Sequence, residues 1–311
     1  LLEADTRHGA VIKTRHRCRR PRKVNKGKSR GVKNVHTPPT QKTIKTKEGG
    51  TMKLIRTAAA LAAVAALLSA CGGSSDDVGK EIGVTPAQVH FIHAIPSGPN
   101  VDFYDNSKVL QPNLAYKTVT NFANIDTGQH NFSYAAVNTT TQLATDTSIS
   151  NAAKGHEYTV IALPDAGFLP SIAVIDDPFD KGLLSSSARV RAFNASTNAP
   201  NLDIYLVAPG TSIASVSPTM AGVAYKNAVP ATTQDSLYVS GGTYQLIATT
   251  PGSKTPVYTS ASFDLAKNAD WLVTTLPSGN ALSQLVPEKI RVLVAQGGNT
   301  QQPALELPDT Q

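Results

Sequence analysis

A chain of 311 residues with 41% hydrophobic residues is long enough for two ordinary domains and apolar enough to give each a core, which excludes a wholly disordered protein. Its formal charge of +7 averages two unlike parts. Residues 1–51 carry 15 Lys and Arg against Glu3, Asp5 and Glu48, a net of +12, whereas the remainder carries 14 basic and 19 acidic groups, a net of −5.

The basic stretch comes first in the chain. Arg15, Arg17, Arg19, Arg20, Arg22 and Lys23 would attract nucleic acid if they were part of a mature protein. The first Met is Met52, directly before a second kind of signal, so the expected start of translation is Met52 and residues 1–51 read as upstream sequence. Gly27-Lys28-Ser29 has the ending of a phosphate-binding loop but carries Arg22 where that loop needs its first glycine.

Residues 52–70 read as an export signal. Lys53 and Arg56 form a short positive region, and Ala58 to Leu68 form an uncharged apolar run, too short for a membrane span of about 20 residues. Leu68-Ser69-Ala70-Cys71 resembles the lipobox of bacterial lipoproteins. That resemblance implies cleavage between Ala70 and Cys71 and acylation of Cys71 with palmitate-type chains, two or more of which anchor a protein stably where one does not. Residues 71–86 then form a tether, opening on Gly72-Gly73-Ser74-Ser75. By the sorting analogy, Gly72 rather than Asp favours the outer membrane if the source is Gram-negative. Cys18 and Cys71 are the two cysteines, so the chain from Cys71 onward has no partner for an internal disulfide, and there is no CxxC pair.

From Val89 the pattern changes to short β-branched and aromatic runs bounded by Gly, Pro, Asn and Asp. Val89 to Ile95, Val101 to Tyr104, Gln129 to Val137, Tyr158 to Leu163 and Ser171 to Ile175 are predicted strands, and long amphipathic helices are missing. Pro99-Asn100-Val101-Asp102-Phe103-Tyr104 recurs as Pro200-Asn201-Leu202-Asp203-Ile204-Tyr205. In the same order, Ala115-Tyr116-Lys117 recurs as Ala224-Tyr225-Lys226, Gly128 as Gly242, and Lys154, Tyr158 and Leu163-Pro164 as Lys267, Trp271 and Leu276-Pro277. A repeat of this length implies two copies of one domain, at 87–182 and 187–288, with a last strand and polar tail at 289–311. The expected fold is all-β: two tandem immunoglobulin-like antiparallel β-sandwich domains following the signal peptide.

The phrase built on His93-Ala94 with Asn100 to Tyr104, and on Asn194-Ala195 with Asn201 to Tyr205, resembles the domain of unknown function 4397. The resemblance implies a β-sandwich in an envelope setting and no established reaction. The second copy has Asn194 where the family has His, so a role needing an imidazole is not shared by both copies.

Four residues are ligand-binding candidates: His93, Asp102, Asn194 and Asp203. The two acids are suited to a cation or to sugar hydroxyls, but the preferred reading is that each accepts backbone N–H groups of the turn before it. His90 and His93 point to opposite faces of a strand, and His156-Glu157 lacks the second His of an HExxH zinc site, so no metal and no cofactor is expected. The acidic run Asp176-Asp177-Pro178-Phe179-Asp180 reads as an interdomain linker, although three carboxylates with Gly182 have some calcium character. No GxSxG elbow occurs, so the expectation is a non-enzyme: a lipid-anchored envelope protein that binds or organises an unknown envelope polymer or protein ligand and no nucleic acid. The alternatives are a hydrolase or transferase with its site in the interdomain cleft, and a nucleic-acid-binding basic arm.

Overall fold

The computed structural model describes residues 78–80, 82–146, 149, 151–179, 186–279, 282 and 285–311, and the basic segment, the export signal and Cys71 lie outside these residues. The described chain is nearly all-β. β1 (Ala87–His93), β2 (Val101–Asp105), β3 (Lys108–Leu114), β4 (Ala123–Ile125), β5 (Phe132–Ala136), β6 (Gln142–Asp146), β7 (Glu157–Pro164) and β8 (Pro170–Asp177) form two sheets, ordered β4-β1-β7-β8 and β3-β2-β5-β6. After them come β9 (Ala188–Asn194), β10 (Asn201–Val207), β11 (Met220–Ala224), β12 (Ala228–Val229), β13 (Leu237–Val239) and β14 (Gly242–Thr249). The chain ends with β15 (Pro256–Thr259), β16 (Phe263–Leu265), β17 (Asp270–Pro277), β18 (Ile290–Gly297) and β19 (Ala304–Leu307). These give a sheet β12-β9-β17-β18-β19, with β13 also on β9, and a sheet β11-β10-β14-β15, with β16 also on β14.

The two halves run the same course. In each, a strand opens the sandwich, a hairpin partner pair forms the opposite sheet, and a late strand returns to lie parallel beside the first: β7 on β1, and β17 on β9. All other pairings between these strands are antiparallel. The local chemistry explains the connections. Asn106 and Ser107, both at positive φ (46° and 70°), make the two-residue turn between β2 and β3, the backbone that matches strand twist best. Strands β3, β4 and β6 escape a reading by periodicity because they are exposed and short, or interrupted by Pro112.

Side-chain alternation then stacks the sheets in four layers. Val89 and Phe91 of β1 enter a core with Phe103, Phe132, Tyr134 and Tyr158. Ile92, one residue on, points the other way and meets Phe193, Leu272, Leu276 and Leu293 of the second sandwich. A third core holds Val190, Leu202, Ile204, Trp271 and Val292. The two middle sheets are therefore covered on both faces, which is why β7 and β9 are buried along their whole length. Ile92, Ile161 and Leu163 are fully buried between the sandwiches, and each contributes about 1.5–3 kcal/mol by leaving water.

The stretch expected to be one strand and a loose tail forms two strands. β18 is the counterpart of β8, so the second sandwich continues past residue 288, and β19 pairs with β18 from Ala304 to Leu307. Leu305 and Leu307 pack on the core shared with Val292 and Val294, while Glu306 between them stays outside it, an alternation too short to stand out in sequence.

Candidate functional site

The repeated acids belong to a bulge. Between Val101 and Phe103 the pairing of β2 with β3 slips, and between Leu202 and Ile204 the pairing of β10 with β11 slips at the equivalent place. The extra residue on the partner strand takes a left-handed backbone, Asn113 at φ 54° and Gly222 at φ 64°. Its amide has no ladder acceptor. Asp102 Oδ1 accepts that N–H from Asn113 at 2.7 Å, and Asp203 Oδ1 accepts it from Gly222 at 2.8 Å. Each acid thus satisfies the one donor that its bulge strands.

His93 and Asn194 also share a job. His93 is buried, accepts the Ile95 N–H at Nδ1 (3.2 Å), and reaches the Pro99 carbonyl with Nε2 (2.9 Å). Burial lowers its pKa, which the Pro99 contact partly opposes. Asn194 does the same with a shorter side chain: Oδ1 accepts the Ser196 N–H at 2.8 Å, and Nδ2 donates to the Ala199 and Val223 carbonyls at 2.7 and 3.1 Å. His93 and Asn194 hold their own turns, whereas Asp102 and Asp203 bind the bulge on the neighbouring strand rather than the turn before them, and the fold places the four in two separate sandwiches without bringing them together.

Chemistry gathers instead where the two sandwiches meet, at the end where β1, β7, β9 and β17 begin. Arg189 is buried there and pairs with Asp177, with Asp235 at 2.8 Å and with Asp270 at 3.1 Å, while its guanidinium lies 4.1 Å from the Phe179 ring. Arg191 reaches Asp177 at 3.2 Å and donates to the Pro230 and Ala231 carbonyls at 2.6 and 2.7 Å, fastening the loop after β12. Glu157, the first residue of β7, pairs with Lys80 and shares a hydrogen bond with Asp270, the first residue of β17. Lys80 Nζ also sits 4.6 Å from the Phe179 ring. The acidic run expected to be an interdomain linker supplies Asp177 to a buried ion cluster.

Burial sets the protonation here. It pushes the Glu157 carboxyl up to about 8, assisted by Asp270 and opposed by Lys80 and Arg189. Burial also works against the Asp177 carboxylate, but Arg189 and Arg191, with the Ser236 hydroxyl, hold it below the usual range. His90, stacked on Phe122 at 4.2 Å and 2.7 Å from Thr159 Oγ1, is brought down to about 3 by burial and then by Lys80. The space between these groups, lined by His90, Glu157, Thr159, Asp177, Arg191 and Asp270, is about 30 Å³. That volume admits a water molecule or two and no sugar or peptide unit.

Glu157 and Asp270 are the paired carboxyls that a hydrolase in the interdomain cleft would need; Glu157 is buried, whereas Asp270 is partly exposed and also borders a hollow of about 360 Å³. Their positions were within reach of the repeat alignment, since each immediately precedes a matched aromatic, Tyr158 or Trp271. What the alignment lacks is the facing of one sheet on the other. Among the described residues no group of His, Cys, Asp and Glu is placed to hold a metal ion.

Comparison with known proteins gives little beyond this. One solved structure that aligns is a carbohydrate-binding module of family CBM26 from Eubacterium rectale Amy13K in complex with maltoheptaose. It shows 9% identity over 60% of this chain and 91% of that one, with a TM-score of 0.20, a similarity too small to define fold or ligand here. No curated protein matches the sequence. Residues 87–205 match the family described as "Domain of unknown function (DUF4397)", a stretch that holds the whole first sandwich and the second one up to Tyr205 of β10.

Proposed function

We propose that the chain is a lipid-anchored cell-envelope protein, held by an acylated Cys71, in the outer membrane if the source is Gram-negative, whose two DUF4397-type sandwiches bind or organise an envelope polymer or protein ligand without catalysis. The observation that carries this reading is the way the two sandwiches are fused. An apolar core and a buried ion cluster join them into one block. Such a block presents its outer loops and strand edges to partners.

The anchor also orients it. Lys80 is fixed against Glu157 at the end where β1 and β9 begin, and it lies nine positions after Cys71. At roughly 3.5 Å per extended residue that end stands within about 30 Å of the lipid. The connections at the opposite end, such as the turn at 165–169, would face outward. The test is intact mass and amino-terminal peptide mapping of protein from native membranes, together with fractionation of Cys71→Ala. An acylated Cys71 start, and release of the variant from membranes, is expected. Unmodified residues before Met52 in the native protein would overturn the anchor and revive the basic arm.

A further inference from the structure

The two sandwiches differ at one corner. In the second, β18 carries β19 as an outer strand, with Val292 opposite Leu307 and Val294 opposite Leu305. The same segment then crosses to the facing sheet, where the Ala261 N–H donates to the Pro308 carbonyl at 2.9 Å and the Thr310 N–H to the Thr259 carbonyl at 2.8 Å. One extended stretch from Pro303 to Thr310 thus closes the gap between β18 and β15. Beneath it Val292 and Val294 are fully buried.

In the first sandwich the corresponding strands, β8 and β6, are the outermost strands of their sheets among the described residues. Ile172 and Val174 occupy the places of Val292 and Val294 and are half-buried. The direction of their backbone groups follows from a neighbour. Asp176 donates its N–H to Thr232 Oγ1 at 2.9 Å and accepts the Thr233 N–H at 2.8 Å, so its main chain faces away from β7. By the two-residue period of a strand, the N–H and C=O of Val174 and Ile172 face the same way. Among the described residues no strand pairs with them. β6 lies against β8 across this corner with no ladder between the two.

We infer that the corner between β8 and β6 is a docking slot for an extended peptide segment of a partner protein, added to β8 as an outer strand in the way β19 is added to β18. The chain itself shows the chemistry that fits. The segment carries aliphatic side chains at alternate positions, as Leu305 and Leu307 do, a polar residue between them, and a proline at each end, as Pro303 and Pro308. Main-chain bonds to Ile172 and Val174 supply affinity, the aliphatic side chains supply selectivity, and the prolines stop the ladder from growing further. This names a partner class for the binding role proposed above and rests on that reading only for its envelope setting.

The test uses a fluorescent peptide with the sequence of residues 301–311, titrated onto the full chain and followed by amide hydrogen exchange. Saturable binding is expected, with exchange at Ile172 and Val174 slowed about tenfold or more as their N–H groups enter a ladder. Val174→Pro removes one outward N–H at an edge position that tolerates proline and should weaken binding by about tenfold. Absence of saturable binding overturns the inference, as does protection that appears along 290–297, where the peptide would have replaced β19. Exchange is read on the unsubstituted chain, so the test stands even if the proline variant fails to fold. A chain that is acylated yet ignores the peptide loses only this inference, and an unacylated chain that binds it loses only the lipid anchor.

Discussion

Glu157 and Asp270 open equivalent strands of the two sandwiches, and the fold brings their carboxyls into one hydrogen bond across the interface between them. The contact works only while one of the two is protonated. Glu157 is the one that burial keeps neutral to about pH 8, against an ordinary value of 4.5.

That shift fixes a pH dependence. Between pH 4.5 and 8 the folded chain holds a proton on Glu157 that the unfolded chain has released, so the contribution of this group to stability is greatest below 4.5, falls as pH rises, and levels off above 8. The slope from this group is at most about 1.4 kcal/mol per pH unit. Glu157→Gln keeps the shape and the hydrogen bond to Asp270 without the proton. Thermal unfolding from pH 5 to 9 should show a flatter profile for the variant and a higher Tm at pH 9. A slope equal to that of the parent would mean that Glu157 does not titrate in this window.

Arg189 compensates three carboxylates at once, from Asp177, Asp235 and Asp270. Arg189→Met preserves much of the bulk over Phe179 and strands those charges, so a loss of about 3–5 kcal/mol is expected, read as a lower denaturant midpoint. Arg189→Lys should recover less than half of it, because one ammonium cannot serve carboxylates on several sides of a planar fork. Equal midpoints for the parent and Arg189→Met would show that the cluster contributes nothing net.

The two bulges predict an asymmetric pair. Asp203 is 8% exposed and Asp102 is half-buried, so Asp203→Ala leaves the Gly222 amide drier than Asp102→Ala leaves that of Asn113. The first should cost about 1–3 kcal/mol and the second less. On the partner strand, Gly222→Ala should cost about 1 kcal/mol for its backbone at φ 64°, while Asn113→Gly should be neutral or slightly stabilising. Equilibrium unfolding of the four variants decides this, and an Asp102→Ala loss exceeding that of Asp203→Ala would count against the bulge account.

His93 and Asn194 predict an exchange. Since an amide does in the second sandwich what an imidazole does in the first, His93→Asn should fold with a loss under about 1.5 kcal/mol, whereas His93→Leu leaves the Ile95 N–H without its acceptor and should lose about 1–3 kcal/mol more. If the leucine variant is as stable as the asparagine variant, the turn does not depend on that acceptor.

How much of this was legible depends on how local its cause is. Strand runs such as Val89 to Ile95, the turn at 96–100 and the recurrence of Pro-Asn-Xaa-Asp were open to reading because neighbours in the chain produce them. Asp102 and Asp203 were found as repeated acids, but their acceptor role lay in a bulge on another strand. Edge strands β3 and β6, whose exposed faces carry little alternation, stayed hidden.

The sequence by itself determined an all-β chain, its strand-length apolar runs and the doubling of its motif, because pleat period and turn chemistry act over a few residues. The tertiary structure alone decided that the middle sheets pack face to face. That packing turns Arg189, Arg191, Glu157 and Asp270, which look like solvent positions on alternating strands, into a buried cluster. It also decided that β19 covers the edge of β18 while, among the described residues, β8 has no outer strand, since the pairing of an edge depends on where distant parts of the chain arrive.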